Sequence, residues 1–260
     1  MGETGERRTV PPTQLVHLMS EYLKLGTHRQ TFLPAPAASD PVLRGFIIVA
    51  GGFGLLGVIC LTVGAIGGGI ATALVALIPA ALALWRRRQN RRNRTARLDL
   101  FDFGMTVYRS GEQVQGFRWD TAHVFQQVIA FQSSTPTEYT MEMTGPGGAR
   151  AVFDDVLFAE GQEWGKAIQS AITGTQLPGA VTAIDAGETV HFGDIALHLD
   201  SLTFRGNTFP WEKIQLIDAR SGLVRIKVDG HWHSLVPVAA IPNFYIFNEL
   251  AERLRVTPFD

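Results

Sequence analysis

The sequence predicts a membrane-anchored α+β protein, in which a transmembrane helical hairpin precedes two antiparallel β domains, each capped by a C-terminal helix. Three observations carry this. Residues 45–85 contain 41 consecutive positions without a charge, residues 86–97 contain seven arginines, and the remaining chain runs twice through short alternating strands to a Trp-acid pair and then a helix.

The uncharged stretch is too long for one span and fits two. A bilayer core of about 30 Å needs about 20 apolar residues, and one straight helix of this length would run roughly 60 Å. A turn is expected in GAIGGG (64–69), where glycine lowers helix propensity, leaving spans over 45–65 and 70–85. Small residues such as Ala50/Gly54, Gly64/Gly68 and Ala76/Ala80 suit helix–helix contact. A signal peptide is disfavoured, because the apolar run starts after residue 40 and lacks an early basic region.

Arg86, Arg87, Arg88, Arg91, Arg92 and Arg94 follow the second span directly, with Arg97 just beyond. Positive charge flanking a span marks the cytoplasmic side. With an even number of spans, both termini are expected in the cytoplasm of a cell-membrane, multi-pass protein. Each arginine near an anionic leaflet adds about 1 kcal/mol, so the run also reads as a clamp on anionic membrane lipid. Residues 98–260 carry eleven basic against twenty acidic groups, which argues against nucleic acid as a partner. Cys60 is the only cysteine and lies within the first span, which excludes a disulfide framework and a thiolate zinc site.

After the arginines the periodicity changes to two. RLDLFDFGMTVYRSGEQVQGFRWD (97–120), TAHVFQQVIAFQ (121–132) and EYTMEMTGPGGARAVFD (138–154) alternate as strands, with Gly145-Pro146-Gly147-Gly148 as a hairpin turn. LFAEGQEWGKAIQSAI (157–172) then has helical spacing, with Leu157, Trp164, Ala167, Ile168 and Ala171/Ile172 on one face and an end expected at Gly174 to Pro178-Gly179. SLTFRGNTFPWEKIQLIDAR (201–220) parallels 104–127, setting Phe209-Pro210-Trp211-Glu212 against Phe117-Arg118-Trp119-Asp120. GLVRIKV and HWHSLVPV flank an Asp229-Gly230 hairpin turn. IPNFYIFNELAERL (241–254) closes this copy as a helix, burying Phe244, Ile246/Phe247, Leu250 and Leu254. Trp119 and Trp211 are therefore expected as equivalent structural anchors of a duplicated domain. The resulting division is a tail over 1–43, the hairpin over 44–85, the basic segment over 86–97, and β domains over 98–175 and 180–257. Within the tail, TQLVHLMSEYLKLG (13–26) reads as a short amphipathic helix through Leu15, Leu18/Met19, Tyr22 and Leu25, packing on the cytoplasmic module, and LPAPAASDP (33–41) as an extended linker.

The strand–turn–strand–F-x-W-[DE]–strands–helix repeat resembles the pleckstrin-homology-like (PH-like) modules of bacterial membrane proteins. The whole chain is similar to an uncharacterised bacterial family that joins a transmembrane hairpin to such modules. LGTHRQTF (25–32), GMTVYRSGEQVQGFRWD (104–120) and LTFRGNTFPWEKI (202–214) carry the resemblance. It implies a bent antiparallel sheet of about seven strands closed by a helix, and brings no mechanism. Basic pairs that would cradle a phosphoinositide in the first hairpin are missing, since Arg109 and Arg118 stand apart near Glu112.

Other motifs point away from catalysis. His231 and His233 share a strand face opposite an expected buried Trp232, with His191 and His198 in the same copy, but no metal-spaced carboxylates or thiolates join them. Asp154-Asp155 and Asp99/Asp102 fall at strand or loop ends, where acids are usually just solvated. The glycine runs carry no Lys-Ser/Thr of a phosphate loop, and the spans hold no charge for a transport path. The expectation is a non-enzymatic binding or scaffolding module without a cofactor, facing an unknown protein partner. The alternative is a subunit of a membrane-bound enzyme or transporter.

Overall fold

The computed structural model of the chain describes residues 12–34, 41–109, 113–129, 138–155, 157–219 and 222–256. The chain opens with a helix over Pro12–Tyr22 (α1) and a strand over His28–Phe32 (β1). Two long helices follow, Pro41–Thr62 (α2) and Ile66–Asn93 (α3), packed against each other. The chain reverses at residues 63–65 around Gly64, whose φ of +81° favours glycine. The later glycines of GAIGGG lie inside α3 rather than in the turn. Their smallness serves the packing of the two helices. A Cβ on Gly69 would stand 2.6 Å from the Leu61 side chain, and one on Gly57 would stand 3.0 Å from Thr72 Oγ1. The helix also continues past Trp85, so the arginines are its last turns and not a separate segment. Arginine is among the better helix formers, so no break is imposed there.

Four antiparallel sheets make up the rest. Arg97–Phe101 (β2), Gly104–Tyr108 (β3) and Gln115–Arg118 (β4) join β1 in the order β1-β2-β3-β4. His123–Ile129 (β5), Glu138–Thr144 (β6) and Arg150–Asp154 (β7) form a second sheet, and Gly161–Asp185 (α4) closes the unit. The pattern then repeats. Val190–Phe192 (β8), Ile195–Leu197 (β9), Ser201–Phe204 (β10) and Asn207–Pro210 (β11) make a sheet of four. Ile214–Asp218 (β12), Leu223–Val228 (β13) and His231–Pro237 (β14) make a sheet of three, before the helix Phe244–Val256 (α5). Asp229 and Gly230 take φ of +48° and +83°, as the expected β13–β14 turn requires.

Three expectations are corrected by this arrangement. The first strand of the first unit is β1, which precedes the helical hairpin, so the hairpin is inserted into that unit between its first and second strands. A unit starting at residue 98 would lack it. Second, α4 does not stop near Gly174 but runs on to Asp185 through Pro178. Ile184 is buried, and Leu177, Ala180 and Val181 pack on the core, so tertiary burial outweighs the local cost of proline and glycine. Third, Trp232 is 47% exposed rather than buried, with the Arg225 guanidinium 5.1 Å from its ring centroid. It lies opposite Lys227 in its sheet.

One hydrophobic core serves both units, running from Phe32 through Trp164 and Ile168 to Phe247 and Leu254. Asn243, held at φ +51° at the entry to α5, joins them through polar contacts. Its backbone N–H donates to the Val124 carbonyl, its Oδ1 accepts from the Val124 N–H, and its Nδ2 donates to Gln176 Oε1 on α4. Gln176 in turn donates to the carbonyls of Trp119 and Ala122, which gives the extra turns of α4 a partner.

The two tryptophans occupy matching points. Trp119 follows β4 and Trp211 follows β11, exposed by 3% and 2%. The Trp119 indole donates to the Phe101 carbonyl at 3.3 Å and its backbone N–H to Phe103 at 3.0 Å; Trp211 donates to His198 at 2.9 Å and to Asp200 at 3.1 Å. Each pair of acceptors lies two residues apart at the β2–β3 or β9–β10 turn, so the same indole locks the same corner twice. Trp119→Ala and Trp211→Ala are each expected to cost about 3–5 kcal/mol in urea unfolding. A difference of several-fold between the two would argue against equivalent roles.

Candidate membrane-surface site

The arginines mark one end of the helical hairpin. Arg87, Arg88, Arg91 and Arg94 are exposed, whereas Arg86, Gln89 and Asn90 are half-buried. Arg94 is the C-terminal cap of α3, its backbone N–H donating to the Arg91 carbonyl at 3.4 Å. The side chain of Arg92 lies outside the described residues. Above the arginines, α2 and α3 are each long and apolar enough to cross a bilayer, and only 6% of each apolar window is buried inside the protein. Ile47, Ile48, Leu55, Leu74, Leu77, Ile78 and Leu84 are more than half exposed, a surface that water would not solvate without large cost.

Directly beneath this end lies a side-chain clasp between β1 and β2. Phe32 pairs with Leu98 and Thr31 with Asp99, so strands lying on opposite sides of the hairpin in sequence are neighbours in space. Asp99 is fully buried. Its carboxylate accepts from Arg97 Nε at 2.6 Å, Arg97 Nη2 at 2.6 Å and the Thr31 hydroxyl at 2.5 Å, with His28 Nε2 at 3.0 Å. Such bidentate, charge-assisted bonds are the strong class, and they offset the burial of the carboxylate. The hydrogen bond to Asp99 raises the pKa of Arg97. A second link joins Asp102 to the Thr27 backbone N–H at 2.9 Å and to the Arg29 guanidinium. The Thr27 bond, and then Arg29, hold the Asp102 carboxyl below its ordinary range.

Helix α1 completes the attachment of the arm. Val16 and Leu25 pack on Phe101 and Val114, with Leu15, Met19 and Leu23 alongside. A Cβ on Gly116 would meet Leu23 at 2.4 Å and Met19 at 2.9 Å, so glycine there lets α1 sit directly on β4. The helix thus packs on the sheet as expected, but through a rotated face, since Leu18 and Tyr22 are exposed. Arg118 is not alone either. It pairs with Asp120 and donates to the Leu23 carbonyl at 2.9 Å, tying β4 to the end of α1. The bond from Arg118 holds the Asp120 carboxyl low. Arg109 donates to the Val152 carbonyl at 3.4 Å, while Glu112 lies outside the described residues.

Among the described residues of the second unit no buried carboxylate joins the equivalent strands, which share instead a Thr189–His198 side-chain bond at 2.9 Å. Where the first has Thr31 opposite Asp99, the second has His191 opposite Ala196, and β8 and β9 are joined by a tight turn through Gly193. The clasp therefore accompanies the hairpin. The histidines of the second unit do not converge, and among the described residues no group of three His, Cys, Asp or Glu stands where it could hold a metal ion.

Sequence reasoning read Asp99 and Asp102 as solvated acids and did not single out His28, Thr31 or Arg29 as their partners. A signal was present. GTHRQTF (26–32) parallels GETVHF (187–192), and Gly26 and Gly187 share a φ near +80°.

A family profile matches residues 15–258, from the second turn of α1 to beyond the end of α5. The chain belongs to that family, DUF6585, a family of unknown function. No curated protein and no solved structure matches the chain significantly. The matched range takes in the arm, the hairpin and both units together, as expected if β1 and β2 are parts of one sheet.

Two outcomes follow for the clasp. Joining residues 12–32 to 97–256 through a short glycine-rich turn, in imitation of β8–β9, should give a water-soluble folded protein that keeps Arg97 beside Asp99. Residues 97–256 alone should be destabilised or unfolded by circular dichroism and urea titration, because Phe32, 2% exposed in the intact core, is then missing. Equal stability of the two chains would show that β1 is dispensable. The second outcome concerns acid. A carboxyl with a lowered folded pKa contributes stability above its unfolded value and loses it as pH falls through the folded value. Asp102→Asn in the joined chain should lower stability at neutral pH and flatten its decline below about pH 4. An unchanged acid slope would remove Asp102 from the linkage.

Proposed function

We propose that the chain is an integral membrane protein whose hairpin crosses the bilayer and whose two strand-and-helix units form a non-enzymatic binding platform on the cytoplasmic surface. The carrying observation is the pairing of β1 with β2 across an apolar, uncovered helical hairpin. Both ends of α2–α3 must then lie on one side of any bilayer that the helices cross, because the two strands share one ladder. The arginines at the end of α3 favour the cytoplasmic side.

The two units fit PH-like modules. Each has four strands, then three, then a closing helix, with a tryptophan at the same corner. This agrees with the fold that the resemblance implies and supports tandem modules. The α3 arginines would hold the surface of an anionic leaflet at about 1 kcal/mol each, while the acidic units stand off it. A protein partner is then the natural ligand of the outward surfaces. Trp232, exposed and stacked with Arg225, belongs to the residue types that anchor such contacts.

Reporter fusions after residue 40 and after residue 260 test the arrangement in cells. Both should read as cytoplasmic, and changing Arg86, Arg87, Arg88, Arg91, Arg92 and Arg94 together to Gln should weaken that bias without releasing the protein from membranes. Opposite readings at the two sites in the unaltered chain would mean a single span and exclude a β1–β2 ladder in the membrane-inserted protein.

A further inference from the structure

The outward face of α3 carries two features in register. Leu84, Arg87, Arg88 and Arg91 line a surface cavity of about 140 Å³. Their spacing of three, one and three residues puts all four on one side of the helix. Continuing upward on the same side, Leu77 is 62% exposed and Leu84 61%. The result is an apolar track about 10 Å long that runs down into three guanidinium groups. Arg86 is turned away, half-buried with Gln89 and Asn90, and Arg94 lies below the cavity without lining it.

From this we infer that Arg87, Arg88 and Arg91 form a discrete headgroup site for a phospholipid bearing two phosphates, with its acyl chains along Leu84 and Leu77. The inference rests on the hairpin being in the bilayer, and it goes beyond a diffuse clamp by assigning ligand, stoichiometry and residues. Guanidinium is planar and binds phosphate oxygens in bidentate fashion, so charge placed in one cavity selects for paired phosphates over the same charge spread across single ones. None of the residues lining the cavity is acidic. Two phosphates close together supply what three cations within two helical turns need. The leucine track sets a lipid apart from a free phosphate, which has nothing to lay along it.

The full-length protein is reconstituted in nanodiscs of phosphatidylcholine with either phosphatidylglycerol or diphosphatidylglycerol at matched total charge. Lipid retained through detergent extraction is then measured by mass spectrometry. Diphosphatidylglycerol should be retained at about one molecule per chain and phosphatidylglycerol should wash away. Arg87→Gln/Arg88→Gln/Arg91→Gln should lower that retention about a hundredfold, whereas Arg94→Gln should lower it no more than about fivefold, the share of one surface charge. Free pyrophosphate, added to neutral nanodiscs, should not be retained. Equal retention of the two lipids at matched charge, or a loss in Arg94→Gln as large as in the triple variant, would return the arginines to a non-selective clamp and overturn the site. Retained pyrophosphate would overturn the lipid assignment. Failure of the unaltered protein to enter nanodiscs would instead sink the membrane reading on which the site depends.

Discussion

The pairing of β1 with β2 is the constraint on which the rest of this structure depends. These strands are separated by the whole helical hairpin, yet they share a ladder in which Thr31 faces Asp99 and Phe32 faces Leu98. In the second unit the equivalent strands are joined by a tight turn, with Thr189 Oγ1 and the His198 ring bonded at 2.9 Å across the pair. In the first, closure is supplied by side chains. A buried carboxylate draws Arg97, Thr31 and His28 together, and Asp102 draws Thr27 and Arg29. Loss of Arg97 would leave the buried Asp99 carboxylate without its bidentate charged partner, so the clasp depends most on that pair.

That constraint also organises what lies above and below it. Packing of α2 on α3 through Gly57 and Gly69 brings the two ends of the hairpin into reach of one another. Below, α1 covers the outer face of the first sheet, while the opposite face joins a core continuous with the second unit. Asn243 and Gln176 then fix the second unit to the corner made by Trp119. A mechanical path of helices, ladder and hydrogen bonds thus runs from the arginine end of α3 to α5, without an extended linker among the described residues between them.

Duplication explains why the two halves look alike, and insertion explains where they differ. The tryptophan corner, the four-plus-three strand order and the closing helix recur. The arm and clasp occur only in the half that carries the hairpin. The exposed Trp232–Arg225 pair belongs to the second half.

Much of the architecture was legible in the sequence, because hydrophobic periodicity is a local signal. The uncharged 41-residue run, the arginines after it, the alternating strands, the Asp229-Gly230 turn and the apolar stripe of α5 each declare themselves within about 20 residues. The duplication was legible too, since two copies of Phe-x-Trp-acid can be compared without knowing where they sit. The membership of β1 was not. A strand of five residues, HRQTF, with one buried side chain at its end carries little periodicity, and its partner lies beyond the hairpin. Nor could local propensity foresee that α4 continues through Gly174 and Pro178, since that depends on Ile184 finding a core and Gln176 finding the Trp119 corner. Asp99 and Asp102 read as solvated acids for the same reason. Thr31 and His28 beside Asp99, and Thr27 and Arg29 beside Asp102, come from a segment about 70 residues earlier, and only the folded chain brings them together across that distance.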